Sequence, residues 1–368
     1  MKQRSIDAAK RNKNDEFYTQ LADVEAEMGA YFIHNPDVFR RKTILLPCDD
    51  YTCSNFTKHF VENFDKYGIE KLVSTCFIPG GHGRILTKTS NGTVEGLLDS
   101  DGDFRSREVT VLRDQADIIV TNPPFSLFRE FLNWAIGGGR QVSLIGNKNA
   151  VSYKELFPLI KDNLLWMGAT SGTGDMVFAV PPNYEVKESD VVKAAKLGYV
   201  STPDTKYTRL GNVCWYTSIP HGKRNLKIPL VTLSDAMAKH KQIRDSGGYL
   251  KYDNYNAIDV PFVDSIPRNY FIPAPEGTWR GELERLGYFT AMHNDQLLVL
   301  NPPMGLPITF LDKYNPEQFE ILGTQRWGKE RSLMMFYTGD SRPPESDQKV
   351  TIGGREKFFR IFIRLRKR

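Results

Sequence analysis

The stretch ADIIVTNPPFSLFREFL, residues 116–132, decides the predicted class of fold. It begins with apolar residues that favour a buried strand, and an amphipathic pattern typical of a helix starts at Phe125. Asn122, Pro123 and Pro124 stand between the two patterns. Because proline has no backbone N–H to donate, the strand has to end at this turn. We therefore predict a strand, a rigid polar turn and a helix in direct succession.

The same rhythm extends to both sides of this stretch. The predicted strands are TILLPC, KLVSTCFI, ADIIV and QVSLIGN, with a hairpin in GRILTKTSNGTVEGLL. The predicted helices are DEFYTQLADVEAEMGAYF, SNFTKHFVENFDKYG, FSLFREFLNWAI and YKELFPLIKDNL. Strands that alternate with helices over short connections predict an α/β fold with a mostly parallel, doubly wound sheet. Ligands of such sheets bind at the carboxyl ends of the strands, where LLPCDDYTCSNF and IIVTNPPF both lie.

Composition describes a globular protein. The chain has 368 residues, of which 40% are hydrophobic and 25% are charged, so it can build one large or two ordinary domains. No apolar run approaches the roughly 20 residues that span a bilayer, and the polar start MKQRSIDAAKRNKN lacks the apolar core of a signal peptide. We therefore expect a cytoplasmic protein without a membrane partner.

The cysteines and histidines predict no metal site. Cys48, Cys53, Cys76 and Cys214 show none of the paired spacing that structural zinc sites use, and we interpret them as reduced thiols. A site built from the first three and His82 is conceivable, but strand-side thiols are more often part of a core. We interpret the loop Pro79–Gly83 as a plain turn rather than a phosphate cradle. His82 and His221 are interpreted as structural residues or as residues that face the partner.

The last third of the chain differs in character. From about Ala236 the segments are rich in turns and aromatic residues, and the strand–helix rhythm is lost. We place a boundary near residue 235, between a domain of residues 1–235 and a smaller α+β region of residues 236–368. The second Asn-Pro-Pro, in LLVLNPPM, is followed by Met304 rather than an aromatic residue. We interpret Pro302 and Pro303 as a structural turn.

The Asn-Pro-Pro-Phe turn suits one demanding reaction, the methylation of an exocyclic amino nitrogen on a nucleobase. That nitrogen is a poor nucleophile because its lone pair is delocalised into the ring. The side-chain oxygen of Asn122 and the carbonyl of Pro123 would accept hydrogen bonds from its two N–H groups, and Phe125 would stack on the base. The base would have to flip out of a duplex first. The alternative is an ordinary strand-to-helix turn.

Several motifs together resemble the EcoRI modification methylase family of adenine-specific DNA methyltransferases that use S-adenosylmethionine. They are KNDEFYT, LLPCDDYTCSNF, GDFRSRE, TNPPFS, IGNKNAVSYKELFPLIK, CWYTSIPHGKRN and LPITFLDKYNPEQFEILG. The resemblance implies a Rossmann-like methyltransferase fold, a C-terminal target-recognition region and double-stranded DNA as the partner. It also implies a modification or anti-restriction role, with a restriction endonuclease as a functional partner, and we expect a monomer. Residues 271–301 match nothing in the family pattern.

The resemblance also implies site residues. The catalytic motif would be Asn122, Pro123, Pro124 and Phe125. The residues implied at the cofactor are Phe17, Tyr18 and Thr19 at its methionine end, Pro47, Cys48, Asp49, Asp50 and Ser54, Asp103 and Phe104 flanking its adenine, and Asn122. The first loop lacks the glycine-rich G-x-G of other methyltransferases. Asp49 and Asp50 have an alternative as caps of the helix that begins near Ser54. Both interpretations stay open for Asp50, whereas we favour the cofactor for Asp49.

Candidate DNA contacts lie near the C-terminus, in GTQRWGKERS and FRIFIRLRKR. The basic residues are Arg326, Lys329 and Arg331 in the first segment and Arg360, Arg364 and Arg366 in the second. Alternation in the second segment predicts a strand with Phe359, Ile361, Ile363 and Leu365 on its apolar face and arginines on the other. That basic face would follow phosphates. The alternative is an edge strand guarded by charge.

Two further classes of function stay open at this point. The same acceptor geometry would serve a methyltransferase that acts on an RNA adenine or on a protein glutamine amide. A non-catalytic DNA-binding relative would keep the fold without the reaction. The basic C-terminal region favours nucleic acid over protein as the partner, and the intact NPPF motif favours an enzyme.

Overall fold

The computed structural model describes residues 17–172, 174–181, 184–228, 271–273, 280–285, 289–300, 304–324, 351–352, 355–356 and 360–366. The chain divides into two compact units. The first comprises residues 1–159 and 164–223, and the second comprises residues 160–163 and 224–368. Within the described residues, no helix has both the length and the apolar character that crossing a membrane requires.

Strands and helices alternate along the described part of the chain up to residue 228. The strands are β1 (Tyr18–Thr19), β2 (Thr43–Leu46), β3 (Lys71–Cys76), β4 (Arg84–Thr89), β5 (Gly92–Leu97), β6 (Ile118–Thr121), β7 (Gln141–Asn147), β8 (Trp166–Met167), β9 (Met176–Val180), β10 (Lys206–Leu210) and β11 (Val213–Thr217). The helices are α1 (Leu21–His34), α2 (Asn55–Glu62), α3 (Phe64–Tyr67), α4 (Arg107–Gln115), α5 (Phe128–Gly137), α6 (Phe157–Lys161) and α7 (Glu188–Lys196).

The first unit is built on an eight-stranded sheet of order β5-β4-β3-β2-β6-β7-β11-β8. Its four central strands, β3, β2, β6 and β7, run parallel, which confirms the parallel arrangement predicted from the sequence. The hairpin β4–β5 is antiparallel on one side, and β11 and β8 are antiparallel on the other. From β2 the chain goes to β3 on one side and later to β6 on the other. The order of strands therefore switches direction between β2 and β6.

Side chains of β2 alternate between two apolar clusters. Ile44 and Leu46 belong to a large cluster that includes Met28 of α1 and Phe60 of α2. Leu45 belongs to a second cluster, against which Leu112 of α4 and Trp134 of α5 pack. Because successive side chains of a strand point to opposite faces, helices cover the sheet on both sides at β2.

Two predicted helices are shorter than expected. The helix predicted from residue 15 begins only at Leu21, because Tyr18 and Thr19 form β1 and pair with Ala179 and Phe178 of β9. Together with β10, these strands make a separate three-stranded sheet. The helix predicted over residues 153–164 is reduced to α6, and Asn163, at φ +64°, lies in the left-handed region just beyond its end.

The described parts of the second unit contain short antiparallel sheets. Its elements are β12 (Phe271–Pro273), α8 (Arg280–Arg285), β13 (Phe289–His293), β14 (Gln296–Leu300), β15 (Met304–Pro307), β16 (Phe319–Thr324), β17 (Thr351–Ile352), β18 (Arg355–Glu356) and β19 (Arg360–Leu365). The sheets have the orders β12-β14-β13, β15-β19-β16 and β17-β18. The predicted turn at Pro302 and Pro303 lies outside the described residues.

The basic strand β19 shows neither the strict alternation of faces nor the edge position that the sequence suggested. It is the central strand of its sheet, so the alternative of a guarded edge strand is wrong. Ile361, Phe362 and Ile363 are all fully buried, so strict alternation of an apolar and a basic face is also wrong. Successive side chains of a strand point to opposite faces, so the burial of these three residues means that both faces of β19 are covered near its middle.

Candidate active site

The strand, turn and helix predicted around Asn122 are present. Residues 118–121 of β6 are completely buried, and the strand ends at Thr121. Pro123 is buried, and Pro124 has an extended backbone with φ −54° and ψ 124°. A short 3-10 turn, Phe125–Leu127, then leads into α5. The turn therefore lies at the carboxyl end of a central parallel strand, beside the switch between β2 and β6.

The side-chain amide of Asn122 has a fixed orientation. Its Nδ2 donates to the carbonyl oxygen of Phe17 at 2.7 Å and lies 3.3 Å from the Oγ1 of Thr19. Its Oδ1 is buried and accepts no hydrogen bond from the described residues. A buried acceptor without a donor is costly, on the order of 1–3 kcal/mol. An N–H group of a ligand would recover that cost by donating a hydrogen bond to Oδ1. The site is therefore prepared for a hydrogen-bond donor from outside the chain.

Phe125 combines packing with partial exposure. Its ring stacks on that of Phe17, with centroids 5.4 Å apart and planes at 23°, and it meets Phe178 edge-on at 6.4 Å. The residue is half-buried and packs against the large cluster. One face of the ring is therefore already occupied by Phe17.

Asp49 bridges the two strands at the switch point. It follows β2 and is buried, with 6% of its surface exposed. Its Oδ1 accepts from the Ser54 hydroxyl at 2.7 Å, and its Oδ2 accepts from the Thr121 hydroxyl at 2.7 Å. Burial raises the pKa of the carboxyl group to about 6, although the bonds from Thr121 and Ser54 oppose that shift. The residue next to Asn122 is thereby tied to the loop after β2.

Neither acidic residue caps helix α2. The cap is Ser54, whose hydroxyl oxygen accepts from the backbone N–H groups of Phe56 and Thr57. The cap interpretation of Asp49 and Asp50 is therefore wrong. Asp50 instead forms an ion pair with Arg84 at 2.9 Å. Partial burial opposes ionisation of Asp50, but hydrogen bonds from Thr52 and the charge of Arg84 lower its pKa.

The neighbouring thiols and histidines have structural surroundings. Cys48 is half-buried, and burial together with the charge of Asp49 raises the pKa of its thiol well above the usual value. None of the four cysteines forms a disulfide, and the described residues include no cluster of His, Cys, Asp or Glu that could hold a metal ion. Pro47 accepts from the Thr75 hydroxyl at 3.3 Å. His82 and His221 contact the carbonyl oxygens of Leu98 and Met167.

Two glycines set the position of Asp103 and Phe104. Gly102 has φ +81°, and a Cβ atom there would lie 2.2 Å from the carbonyl oxygen of Cys76. A Cβ atom at Gly83 would lie 2.6 Å from the Cα of Gly102. The loops after β3 and β5 therefore meet backbone against backbone, which only glycine permits.

Phe104 is a buried core side chain rather than an exposed aromatic ring on which a ligand could stack. Its ring is 5% exposed and packs edge-on against Phe131 and Trp134, at 5.1 and 5.5 Å. The Asp103 carboxylate accepts from the backbone and guanidinium N–H groups of Arg105. Partial burial opposes ionisation, but these bonds from Arg105 lower the pKa of Asp103. Phe104 therefore anchors this loop in the core.

The predicted DNA contacts are described only in part. Arg326, Lys329, Arg331 and the side chain of Arg360 lie outside the described part of the structure. Arg364 forms an ion pair with Glu320 at 2.9 Å. Arg366 donates through Nε to the carbonyl oxygen of Pro316 at 2.7 Å. Both guanidinium groups thus have partners within their own unit.

Glu27 is an important residue that the sequence did not indicate. It lies fully buried in α1, and its carboxylate accepts from the backbone N–H groups of Ala169 and Thr170, each at 2.7 Å. Tyr31 donates its hydroxyl to the same carboxylate at 2.5 Å. Gly168 leaves room for this contact, because a Cβ atom there would lie 2.3 Å from Oε1. A glutamate on an amphipathic helix is normally exposed, so the sequence carried no signal of this burial.

Comparisons with known proteins find relatives over nearly the whole chain. The family described as "Adenine-specific methyltransferase EcoRI" matches residues 5–93, 85–273 and 298–366. The chain is 32% identical to the Type II methyltransferase M.EcoRI of Escherichia coli over 374 residues, covering 97% of this chain and 94% of that protein. It is 30% identical to the Type II methyltransferase M.MpnI of Mycoplasma pneumoniae, covering 97% of each.

A third relative, the Type II methyltransferase M.MgeORF184P of Mycoplasma genitalium, is 28% identical over 97% of both chains. No solved structure matches the chain significantly. The family match leaves out residues 274–297, which fall within the segment that the motif comparison could not place. With matches over nearly its whole length, the chain belongs to the EcoRI family of adenine-specific methyltransferases.

Proposed function

We propose that the protein transfers a methyl group from S-adenosylmethionine to the exocyclic amino group of an adenine flipped out of duplex DNA. One observation carries this proposal beyond family membership. The buried Oδ1 of Asn122 accepts no hydrogen bond among the described residues, while its Nδ2 is held by Phe17 and Thr19. A preorganised acceptor of this kind suits an amino group that must be aimed at an electrophile.

The chain's own residues orient and activate the amino group. Asn122 Oδ1 and the Pro123 carbonyl each accept one of its N–H bonds, which favours a nitrogen lone pair directed out of the ring plane. The bound sulfonium compound supplies an electrophilic methyl group for direct displacement. Phe125 contributes an aromatic surface for the flipped base, at the part of its ring that Phe17 leaves uncovered. The amine proton leaves after the transfer, so no buried base is required.

We place the methyl donor at the carboxyl ends of β2, β3 and β6. Parallel sheets bind ligands at such a switch point, and three carboxylates lie in its loops, at Asp49, Asp50 and Asp103. A sulfonium cation suits acidic surroundings. The donor site would comprise Phe17, Tyr18, Thr19, Pro47, Cys48, Asp49, Asp50, Ser54, Asp103, Phe104 and Asn122. In this arrangement Asp49 acts through Ser54 and Thr121, and the buried ring of Phe104 holds in place the loop that carries Asp103.

The remaining parts of the proposal concern the whole chain. We propose a doubly wound, Rossmann-like catalytic domain over residues 1–235 and a target-recognition region over residues 236–368. The formal net charge of +5 suits a polyanionic partner. The names of the relatives as Type II methyltransferases support a modification or anti-restriction role beside a restriction endonuclease. We further propose a cytoplasmic monomer.

Sequencing that detects methylated bases, applied to DNA from cells that express the protein, tests the reaction and its target together. We expect methylated adenine at one recurrent site with the wild-type protein. Asn122→Ala should lower the transfer rate by about 10²-fold or more, as the loss of one preorganised partner does elsewhere. Asn149→Ala, an exposed asparagine after the neighbouring strand β7, should retain the wild-type rate.

Two results would contradict the proposal. Wild-type turnover in Asn122→Ala would remove Asn122 from the reaction. Transfer of a labelled methyl group to RNA or to protein, but not to duplex DNA, would favour the other two substrate classes. Donor binding without transfer to any of them would indicate a non-catalytic relative.

A further inference from the structure

The N-terminal segment holds the amide of Asn122 at two points. The carbonyl of Phe17 takes one N–H at 2.7 Å, and the Thr19 hydroxyl lies 3.3 Å from the same nitrogen. A primary amide has two N–H groups, so these two acceptors account for both of them. The oxygen of the amide must then point the other way. Residues more than 100 positions upstream in the chain therefore determine which atom of Asn122 meets the substrate.

Thr19 is itself held firmly. The residue is buried, with 4% of its surface exposed, and it pairs with Phe178 in the β1–β9 ladder. Its carbonyl oxygen accepts from Nδ2 of Asn55, the first residue of α2, at 2.7 Å. The cap of that helix, Ser54, donates to Asp49 in the loop after β2. Thr19 thus connects the catalytic turn with the loop where we place the methyl donor.

We propose that Thr19 is a positioning residue for Asn122: its hydroxyl fixes the amide so that Oδ1 faces the amino group of the target base. The inference rests on the proposed function and refines the role that the family resemblance assigns to Thr19. Accepting from Asn122 leaves the hydroxyl proton available for donation, and that proton has no acceptor among the described residues. Positioning of Asn122 and contact with the donor can therefore coexist.

Thr19→Val tests this role, because valine has nearly the same shape but no acceptor. The single-turnover rate of methyl transfer, at saturating S-adenosylmethionine, should fall about tenfold, the effect of one lost hydrogen bond that leaves a buried N–H without a partner. The affinity for S-adenosylmethionine without DNA, measured by calorimetry, should change much less than the rate. Thr19→Ser restores the hydroxyl and should restore most of the rate.

Thr208→Val is the matched control. Thr208 pairs with the same Phe178 from the opposite side of β9 and is also 4% exposed. The substitution should therefore reproduce any general effect on this small sheet, including a change in melting temperature. It should leave the saturated transfer rate unchanged, because the Asn122 amide donates to Phe17 and Thr19 and not to Thr208.

Three outcomes would overturn the inference. An unchanged saturated rate in Thr19→Val, with weaker donor affinity, would make Thr19 a donor contact alone. Equal losses of the saturated transfer rate in Thr19→Val and Thr208→Val would show that the effect comes from the small sheet. A rate in Thr19→Ser as low as in Thr19→Val would show that it comes from side-chain packing. Failure of the proposed function is separate, because the wild-type protein would then transfer no methyl group to duplex DNA at all.

Discussion

At the scale of single residues, the site is organised by side chains whose partners are distant in the sequence. Asn122 is bonded to residues 105 and 103 positions away, and Asp49 to Thr121, 72 positions away. The motif around Asn122 could be predicted because apolar runs, prolines and an aromatic residue carry local signals. The partners could not, because no local pattern shows which hydroxyl or carbonyl will face a given side chain.

Phe125 should contribute to both binding and stability. Because one face of its ring stacks on Phe17, Phe125→Ala should lower the melting temperature. Loss of the aromatic surface on which the base stacks should also raise the activation free energy of methyl transfer by roughly 1–3 kcal/mol. Calorimetry and single-turnover rates measure the two effects. A mismatched target base should partly restore the rate, because less unpairing is needed, and leave the melting temperature unchanged. A normal rate in the folded variant would limit Phe125 to packing.

Asp49 should make stability fall as pH rises. Its pKa is about 6 in the folded protein against an ordinary value of 3.8, so the folded state holds the proton more tightly between these values. The free energy of unfolding is therefore higher below this window and declines through it, by about 3 kcal/mol for this group. Asp49→Asn cannot ionise, so its stability relative to wild type should improve between about pH 4 and about pH 7.

Urea unfolding of both proteins, at about pH 4 and at about pH 7, measures the difference between their free energies of unfolding. A constant difference between Asp49→Asn and wild type would show that Asp49 titrates normally. The proportion of folded protein has to be checked at both values, since other groups titrate there as well.

At the scale of elements, the buried apolar strands were predictable and the two-residue strand β1 was not. β2, β6 and β7 read as apolar runs, and each lies at the centre of the sheet. β1 has only two residues, and its partner β9 begins more than 150 residues later, so the helical pattern that follows dominated the prediction. β19 was predicted as a strand, but its central place depends on β15 and β16, which flank it.

The contact between the loops after β3 and β5 should be intolerant of any side chain. Gly102→Ala combines a positive φ with a Cβ 2.2 Å from a carbonyl oxygen, so we expect a loss of at least about 2 kcal/mol in unfolding free energy. Gly80→Ala is the control, because Gly80 also has a positive φ, +73°, but open space around it. Gly80→Ala should lower the free energy of unfolding by only about 1 kcal/mol. Equal losses, measured by denaturant unfolding, would mean that the close approach is unimportant.

At the scale of the whole molecule, the motifs were sufficient to identify the family, because they are spread over nearly the entire chain. One segment of the chain is an exception to this match. Residues 274–297 lie outside the family match, and the described parts of this region form α8, β13 and the first two residues of β14. Because no family pattern covers these residues, the sheet of β12, β14 and β13 could not be anticipated.

Methyl transfer should be independent of metal ions. Displacement at a sulfonium methyl group needs neither a Lewis acid nor an activated water, and the acceptors at Asn122 and Pro123 require no cation. Activity on duplex DNA should therefore be the same with and without a chelator such as EDTA. Activity that disappears with the chelator and returns with zinc or magnesium would contradict this mechanism.

The bridging of Asp49 has a consequence for the order of folding. Its backbone and side chain bond to Ser74 and Thr75 of β3, to Ser54 before α2 and to Thr121 of β6. A nascent chain that has formed β2 and β3 still lacks the last of these partners. The loop after β2 can therefore adopt its final shape only when β6 has joined the sheet, after non-local closure that is intrinsically slow. In refolding experiments the capacity to bind the methyl donor should accordingly appear in the last phase, well after most helical structure has formed.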